Sequence, residues 1–297
     1  MEQQLVKLAD VAVLSPLVAV VRGLNPGKFT LQGTNTYLVG SGPHRLLVDT
    51  GAGVPNYIPL LLNTLRDLNA SISDILITHR HYDHVGGILQ ILETLQSRNS
   101  SAITVWKRLT ARDNDTVTDI KYSHIAENQV FTTTGATLRA ICTPGHLDDH
   151  CCFFLEQEKA LFSGDSVLGH GTTVFENLKE YVDSLQKTLV ACGDSAIDRI
   201  YPGHGPDILD GTLKIQQYIS HRVDRENEIL KVMAAIASTA PACSSMQLVE
   251  IIYKSYDQTI WPAAERSVLL HLDKLVAENR VIQNQNNTFT LLKPSNL

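Results

Sequence analysis

The chain lacks several features that would place it in other classes of protein. Five cysteines in 297 residues, an odd and sparse set, argue against a disulfide framework. No apolar run reaches the roughly 18 residues needed to span a bilayer. The apolar stretch 11–21 is short, is broken by Ser15 and Pro16, and lacks the layout of a signal peptide. The formal charge of −6 gives no general basic field for nucleic acid, although a bound cation would supply positive charge locally. We therefore expect an intracellular protein without a membrane partner.

The organisation along the chain indicates a large domain followed by a small one. The composition, 43% hydrophobic and 19% charged, is that of an ordinary globular protein. Apolar runs that end in polar residues alternate with helical patterns, and one long helix is predicted over 213–236. After a break at 238–241, Ser244 and Gln247 form a capping box, Pro262 suits the first turn of another helix, and 281–292 reads as a hairpin. These elements predict a winged-helix-like domain at 239–297 behind a domain at 1–238.

The most informative segment is HRHYDH at 79–84, which follows an apolar run. Three imidazoles and a carboxylate lie within it, and these groups are the usual ligands of zinc and similar divalent ions. In an extended segment alternate side chains share a face, so His79, His81 and Asp83 can point one way while His84 turns toward a second centre. The spacing predicts a metal site, and we expect it to hold two ions.

Further candidate ligands follow small turn-forming residues at the ends of other apolar runs. His146 and His204 each follow a Pro-Gly pair, and Asp165 follows Ser-Gly. Glycine at such a position lets the backbone approach a metal centre closely. Each residue taken singly is also compatible with an ordinary polar turn at the surface. Together with the histidine motif, they supply the additional ligands that a dinuclear site needs.

With these residues in this order, the chain resembles the metallo-β-lactamase superfamily, whose pattern is Asp, then His-x-His-x-Asp-His, then His, Asp and His. The resemblance covers about residues 20–210 and implies an α+β fold, the αββα sandwich, with the site along one edge of its two sheets. It implies two Zn²⁺ ions per chain, with Asp165 and a hydroxide bridging them and Asp83 orienting the nucleophile or accepting its proton. Asp49 would steady the ligand loops, although a turn residue at a strand end fits the same position. The implied ligands are His79, His81 and His146 for one metal and Asp83, His84 and His204 for the other.

The resemblance also narrows the reaction. Zinc lowers the pKa of bound water to about 7, so metal-assisted hydrolysis by a metal-bound hydroxide is expected. Asp165 argues against β-lactam-degrading members, which lack a bridging aspartate there. His81 argues against the diiron flavoprotein branch, which carries a carboxylate at that position. Thioesterases of the glyoxalase II kind and phosphodiesterases that cut RNA remain.

The C-terminal pattern separates these two groups, because glyoxalase II has a helical domain where this chain has a winged-helix pattern. Segments 25–27, 31–37, 171–176 and 216–222 are similar to the β-lactamase-like protein 2 family of endoribonucleases. That resemblance implies a zinc-dependent endoribonuclease of single-stranded RNA in the mitochondrial matrix. The alternatives are a glyoxalase II-like thioester hydrolase and a cytosolic location. An adaptor with a vestigial site is a third alternative, which the intact set of ligand residues argues against.

Residues for binding the substrate are less well marked, and a homodimer is left open. Polar residues in Gly-Thr segments could hydrogen-bond a phosphate, and a His-Arg pair on the long helix could face the groove. Ordinary turns and a solvated helix face explain the same residues. The candidates are Asn35, Thr36, Thr172, Thr173, His221 and Arg222.

Overall fold

The computed structural model describes residues 5–96, 102–115, 120–193 and 196–292. Residues 1–4 and 293–297, which belong to the two predicted domains, lie outside the described residues. Among the described helices none is both long and apolar enough to cross a bilayer.

A seven-stranded sheet forms from the first half of the chain, with its strands side by side in sequence order. The first four strands pair antiparallel, and the remaining strands pair parallel. Parallel neighbours need a crossover connection, and α-helices provide it between the fourth, fifth and sixth strands. The strands are β1 (Val11–Ser15), β2 (Val18–Arg22), β3 (Asn35–Val39), β4 (His44–Val48), β5 (Ser71–Leu76), β6 (Thr104–Lys107) and β7 (Tyr122–His124), and the helices are α1 (Tyr57–Asp67), α2 (Tyr82–Val85) and α3 (Ile88–Gln96). A short 3₁₀ helix, Ala111–Asp115, follows β6.

A second sheet of six strands has the order β13-β12-β11-β10-β9-β8. Only β11 and β12 pair parallel, and α4 forms the crossover between them. The strands are β8 (Val130–Thr133), β9 (Ala136–Cys142), β10 (Cys151–Leu155), β11 (Ala160–Gly164), β12 (Arg199–Pro202) and β13 (Ile208–Leu209), and the helices are α4 (Leu178–Ala191) and α5 (Gly211–Ile236).

Three apolar cores define four layers. Strand β10 is buried on both faces: Phe153 packs against the first sheet, while Cys152 and Phe154 pack against α4 and α5. A third core lies between the first sheet and helices α1 and α3. The layers are therefore helices, sheet, sheet and helices. The predicted αββα sandwich is confirmed.

The C-terminal module has a core of its own. It consists of β14 (Cys243–Ser244), α6 (Ser245–Ile252), the 3₁₀ helix Gln258–Ile260, α7 (Trp261–Ala277), β15 (Val281–Gln283) and β16 (Thr288–Leu291). The capping box of Ser244 and Gln247 is formed, as the sequence predicts. The hairpin and the helices confirm the winged-helix prediction. The second half of α5 contributes Ile229 and Met233 to this core, so the helix belongs to both packing units.

Candidate metal centre

The predicted ligands meet where strands of both sheets end. His79 and His81 follow β5, and Asp83 and His84 lie on the short α2. The other three residues follow strands of the second sheet: His146 after β9, Asp165 after β11 and His204 after β12. All seven residues lie in two groups of ligand atoms, and within each group the atoms are no more than 4.8 Å apart. Their role as metal ligands stays a prediction.

The first group contains His79, His81, His146 and Asp165. The Nδ1 atom of His81 lies 3.0 Å from Nε2 of His79 and 3.2 Å from Nε2 of His146. The Oδ2 atom of Asp165 lies 3.9 Å from Nε2 of His79 and 3.7 Å from Nε2 of His146. Three imidazoles and one carboxylate oxygen therefore converge on one point.

The second group contains Asp83, His84 and His204, and the other oxygen of Asp165 lies near it. The Oδ1 atom of Asp165 lies 3.5 Å from Nε2 of His84 and 3.3 Å from Nε2 of His204. Asp83 Oδ2 lies 3.2 Å and 3.3 Å from the same two nitrogens. Because each oxygen of Asp165 faces a different group, this carboxylate is placed to join two cation positions.

Contacts behind the imidazoles fix which nitrogen points inward. Nδ1 of His84 donates to Asp49 Oδ2 at 2.8 Å, and Nδ1 of His146 donates to the carbonyl of Val174 at 2.7 Å. In both rings the Nε2 lone pair is then left for the centre, as it is in metal-binding histidines. Asp49 also accepts from the backbone N–H of Thr78 at 2.8 Å and from its hydroxyl at 2.8 Å. Asp49 thus contacts both the segment next to His79 and the ring of His84, and its role in supporting metal ligands stays a prediction.

The charges of the group shift the pKa values of its members in opposite directions. Burial lowers the pKa of His79 well below its usual value. Burial also lowers the pKa of His84 and His204, but the neighbouring carboxylates outweigh it, raising the pKa of His204 to about 9 and that of His84 well above its usual value. Burial raises the pKa of Asp165, but the charges of His204 and His84 hold it well below its ordinary range. The carboxylates therefore favour positive charge at this group, which a bound cation would supply.

An observation independent of the histidine motif also indicates that these side chains can hold divalent cations. Nε2 of His84 and Oδ1 of Asp165 are buried and have no hydrogen-bond partner within the described part of the chain. A buried polar atom without a partner is costly, and a shared cation would satisfy both atoms. Nitrogen and carboxylate donors in this ratio suit zinc and similar ions.

A cavity of about 530 Å³ opens directly over this centre. Its floor is formed by five of the predicted ligands, and its walls by segments 28–31 and 168–174. Thr172 and Thr173 line it, as the prediction of substrate contacts requires. A volume of this size is within the range of small-ligand sites, roughly 300–1,000 Å³.

Two of the predicted substrate residues, Asn35 and Thr36, are buried structural residues instead. Asn35 is 1% exposed, and its amide donates to the carbonyls of Pro202 at 2.8 Å and Gly205 at 2.9 Å, on either side of His204. The hydroxyl of Thr36 donates to the carbonyl of Val21 and also contacts the hydroxyl of Tyr57. A phosphate could reach neither, so this part of the prediction is wrong.

His221 and Arg222 also lie outside the cavity lining. His221 is exposed on α5, which matches the alternative of a solvated face. Arg222 is buried: its guanidinium lies 4.9 Å from the ring centre of Phe175 and donates to the carbonyl of Thr173 at 3.5 Å. Arg222 therefore supports the cavity wall from behind, and the direct substrate contact predicted for it is wrong, whereas a contact of the exposed His221 stays a prediction.

Sequence reasoning missed several residues that support the ligands. Thr34 donates through its hydroxyl to Asp83 Oδ2 at 2.9 Å. His150 is fully buried beside His79 and His146, and its Nε2 accepts from the backbone N–H of Asp165 at 3.2 Å. A second histidine four positions after His146 was a visible signal for this residue. The contact of Thr34, by contrast, depends on a loop that no local pattern specifies.

The fold and the centre together define a metal-dependent hydrolase class, and family comparison agrees. The model of the metallo-beta-lactamase superfamily matches residues 29–204, and that of the beta-lactamase associated winged helix domain matches residues 244–288. The chain belongs to the metallo-beta-lactamase superfamily. It is a hydrolase of that superfamily, and its histidine and aspartate cluster can bind metal.

Individual relatives extend over most of the chain. The Beta-lactamase-like protein 2 homolog of Drosophila melanogaster is 42% identical over 95% of this chain and 96% of its own length. Thioesterase pkgB of Emericella nidulans is 45% identical over 78% of this chain and 62% of its own length. Among solved structures, a beta-lactamase domain protein from Burkholderia ambifaria gives a TM-score of 0.74 at 20% identity, covering 95% of this chain and 93% of that chain, which supports the fold.

Proposed function

We propose that the protein is a zinc-dependent endoribonuclease that hydrolyses phosphodiester bonds of single-stranded RNA. Two Zn²⁺ ions bound at the cluster would act as Lewis acids and lower the pKa of a water molecule toward about 7. Three histidines and Asp165 would hold one ion, and Asp83, His84 and His204 the other. An open cavity above the centre suits an unpaired strand, because a duplex is wider and stiffer.

Asp83 would orient the attacking water. One of its oxygens is held by Thr34, and its side chain is partly exposed to the cavity floor. A carboxylate in that position accepts a hydrogen bond from the nucleophile and can take its proton. The ligand imidazoles are fixed by Asp49 and by the carbonyl of Val174, so the reacting groups need little rearrangement.

The choice of RNA over a thioester rests on how much of this chain aligns with each relative. The Drosophila melanogaster relative aligns over 95% of the chain, including the winged-helix module, whereas the thioesterase aligns over 78%. The segments that suggested the endoribonuclease family lie in the hydrolase domain and on α5. Similarity through the C-terminal module favours the same branch.

Thioester hydrolysis is the second candidate, and one finding favours it. Thioesterase pkgB is 45% identical over 232 residues, which is the higher identity of the two relatives. The same centre would polarise a thioester carbonyl as well as a phosphoryl oxygen. The two activities therefore have to be separated by substrate.

The test compares a single-stranded RNA oligomer with a glutathione thioester, using wild-type protein and Asp165→Asn. Asp183→Asn, the same change on the exposed surface of α4, is the matched control. We expect RNA cleavage that is lost in Asp165→Asn and kept in Asp183→Asn, with 5′-phosphate and 3′-hydroxyl product ends. Hydrolysis of the thioester alone would select the second candidate, and 2′,3′-cyclic phosphate ends would contradict attack by water.

The proposal extends to location and assembly. By family resemblance we propose the mitochondrial matrix, with the cytosol as the alternative, and a homodimer stays open. Fractionation of cells and sedimentation of the purified full-length chain would decide these two points.

A further inference from the structure

Large apolar side chains are exposed at the rim of the metal cavity. Phe29 is 74% exposed and Val174 is 62% exposed, and both side chains line the cavity. Scattered exposed apolar residues are common on protein surfaces and mean little singly. Here both line the cavity that also contains five of the candidate ligands, so a molecule bound at the centre has apolar surface beside it.

The backbone that presents Phe29 is held in place by its own hydrogen bonds. The N–H of Gly27 donates to the carbonyl of Leu31 at 3.1 Å, and the N–H of Gly33 donates to the carbonyl of Thr30 at 2.8 Å. The hydroxyl of Thr30 donates to the carbonyl of Asn25 at 2.6 Å. An exposed phenyl ring on a braced turn loses little further freedom when a ligand packs against it.

The same turn is linked to the catalytic aspartate. The Asn25 side chain donates to the hydroxyl of Thr34 at 3.0 Å, and that hydroxyl donates to Asp83 Oδ2 at 2.9 Å. Asn25 also accepts from the backbone N–H of Thr34 at 2.9 Å. A group packed on Phe29 would therefore have a defined position relative to the reacting centre.

The cavity lining combines aromatic, charged and hydrogen-bonding side chains. Phe29 offers a flat aromatic face, with the ammonium of Lys28 5.8 Å from the ring centre. The exposed Thr172 lines the same cavity and brings a hydroxyl to it. An aromatic ring together with a hydrogen-bonding group matches a nucleobase, which has an aromatic face and a polar edge. An acyl chain would use only the apolar part of this lining.

We propose that Phe29 is the specificity-determining residue that stacks on a nucleobase of single-stranded RNA next to the scissile phosphate. Lys28 lies beside it and attracts the backbone phosphate of the same strand. This assignment rests on the proposed ribonuclease function and names the contact through which an unpaired nucleic acid strand is chosen over a substrate without bases. Base stacking on an aromatic side chain tolerates any sequence, because every base has a π face.

Binding to the full-length metal-free chain tests the contact without requiring catalysis. The probes are fluorescein-labelled oligouridylate and an abasic ribose-phosphate oligomer of equal length, measured by anisotropy. We expect Phe29→Ala to weaken oligouridylate binding about 5- to 150-fold, the range measured for loss of one base stack, and Phe29→Tyr to restore it. The abasic oligomer should bind wild-type protein and Phe29→Ala equally. Val190→Ala, at a 79% exposed position on α4 outside the cavity lining, is the control and should change nothing.

Kinetics of the metal-loaded protein add a second readout. Phe29→Ala should raise KM for RNA much more than it lowers kcat, because stacking is present in both the ground state and the transition state. The inference is overturned if oligouridylate and the abasic oligomer bind alike, if wild-type protein binds neither, or if Phe29→Ala binds both as wild-type protein does. Base-dependent binding without RNA cleavage would instead count against the proposed function while leaving the Phe29 contact standing.

Discussion

Replacing His271 by leucine should make the C-terminal module resistant to mild acid. His271 lies on α7, is 1% exposed, and both of its ring nitrogens lack a hydrogen-bond partner in the described part of the chain. Burial, followed by the charge of Arg222, lowers its pKa from 6.5 to about 3. The folded protein therefore keeps this imidazole neutral at a pH where the unfolded chain protonates it.

The size of the effect follows from proton linkage. Because the folded pKa is depressed, the stabilisation is complete above the unfolded pKa of 6.5 and is lost as the pH falls from 6.5 toward 3. The free energy of unfolding should fall by up to about 1.4 kcal/mol per pH unit in this window. Between pH 7.5 and pH 5.5 the loss due to His271 alone is about 1.4 kcal/mol.

Urea unfolding of wild-type protein and His271→Leu at these two pH values measures the effect. Trp106→Phe in both backgrounds leaves Trp261, on α7, as the fluorescent reporter of the module. Other titrating groups contribute equally to both proteins, so the difference between them isolates His271. We expect His271→Leu to be at least as stable at pH 7.5, and its advantage to grow by about 1.4 kcal/mol at pH 5.5. An advantage that does not change with pH would refute a buried neutral imidazole.

Three further changes test other parts of the structure. Gly145→Ala should abolish soluble folded protein in expression trials, because the backbone there has φ +130° and a Cβ would lie 2.3 Å from Cα of Tyr181; normal yield and melting temperature would contradict this. Asp49→Asn should lower zinc affinity about 10- to 100-fold in a chelator competition, because it weakens the hydrogen bond that orients the ring of His84. An unchanged dissociation constant for zinc would show that Asp49 does not have that role. Glu226→Gln should cost about 1.5 kcal/mol in urea unfolding, because it weakens the short contacts of Lys274 and Arg280 with a buried carboxylate and leaves Glu278 as their acidic partner; a cost below about 0.5 kcal/mol would show that Glu278 and water replace it.

Each candidate ligand is marked locally in the sequence, and the structure brings all seven together. A histidine motif after an apolar run, or a histidine after a Pro-Gly pair, indicates the end of a strand, and Asp83 and His84 lie on α2 soon after β5. Support residues are not marked in this way. Asn35 and Thr36 looked like exposed turn residues, but they lie in β3, where neighbouring strands bury them. Burial of Arg222 likewise depends on Phe175, which is distant in sequence.

Helix α5 crosses from one packing unit to the other, and this has a consequence for dissecting the protein. A chain ended at residue 238 would keep Ile229 and Met233 but lose the residues that cover them. The C-terminal end of such a helix would expose an apolar surface to solvent and would promote self-association. Truncation near residue 238, the domain boundary predicted from the sequence, should therefore yield aggregates. Polar substitutions in the last turns of α5 offer a way to obtain the hydrolase domain alone.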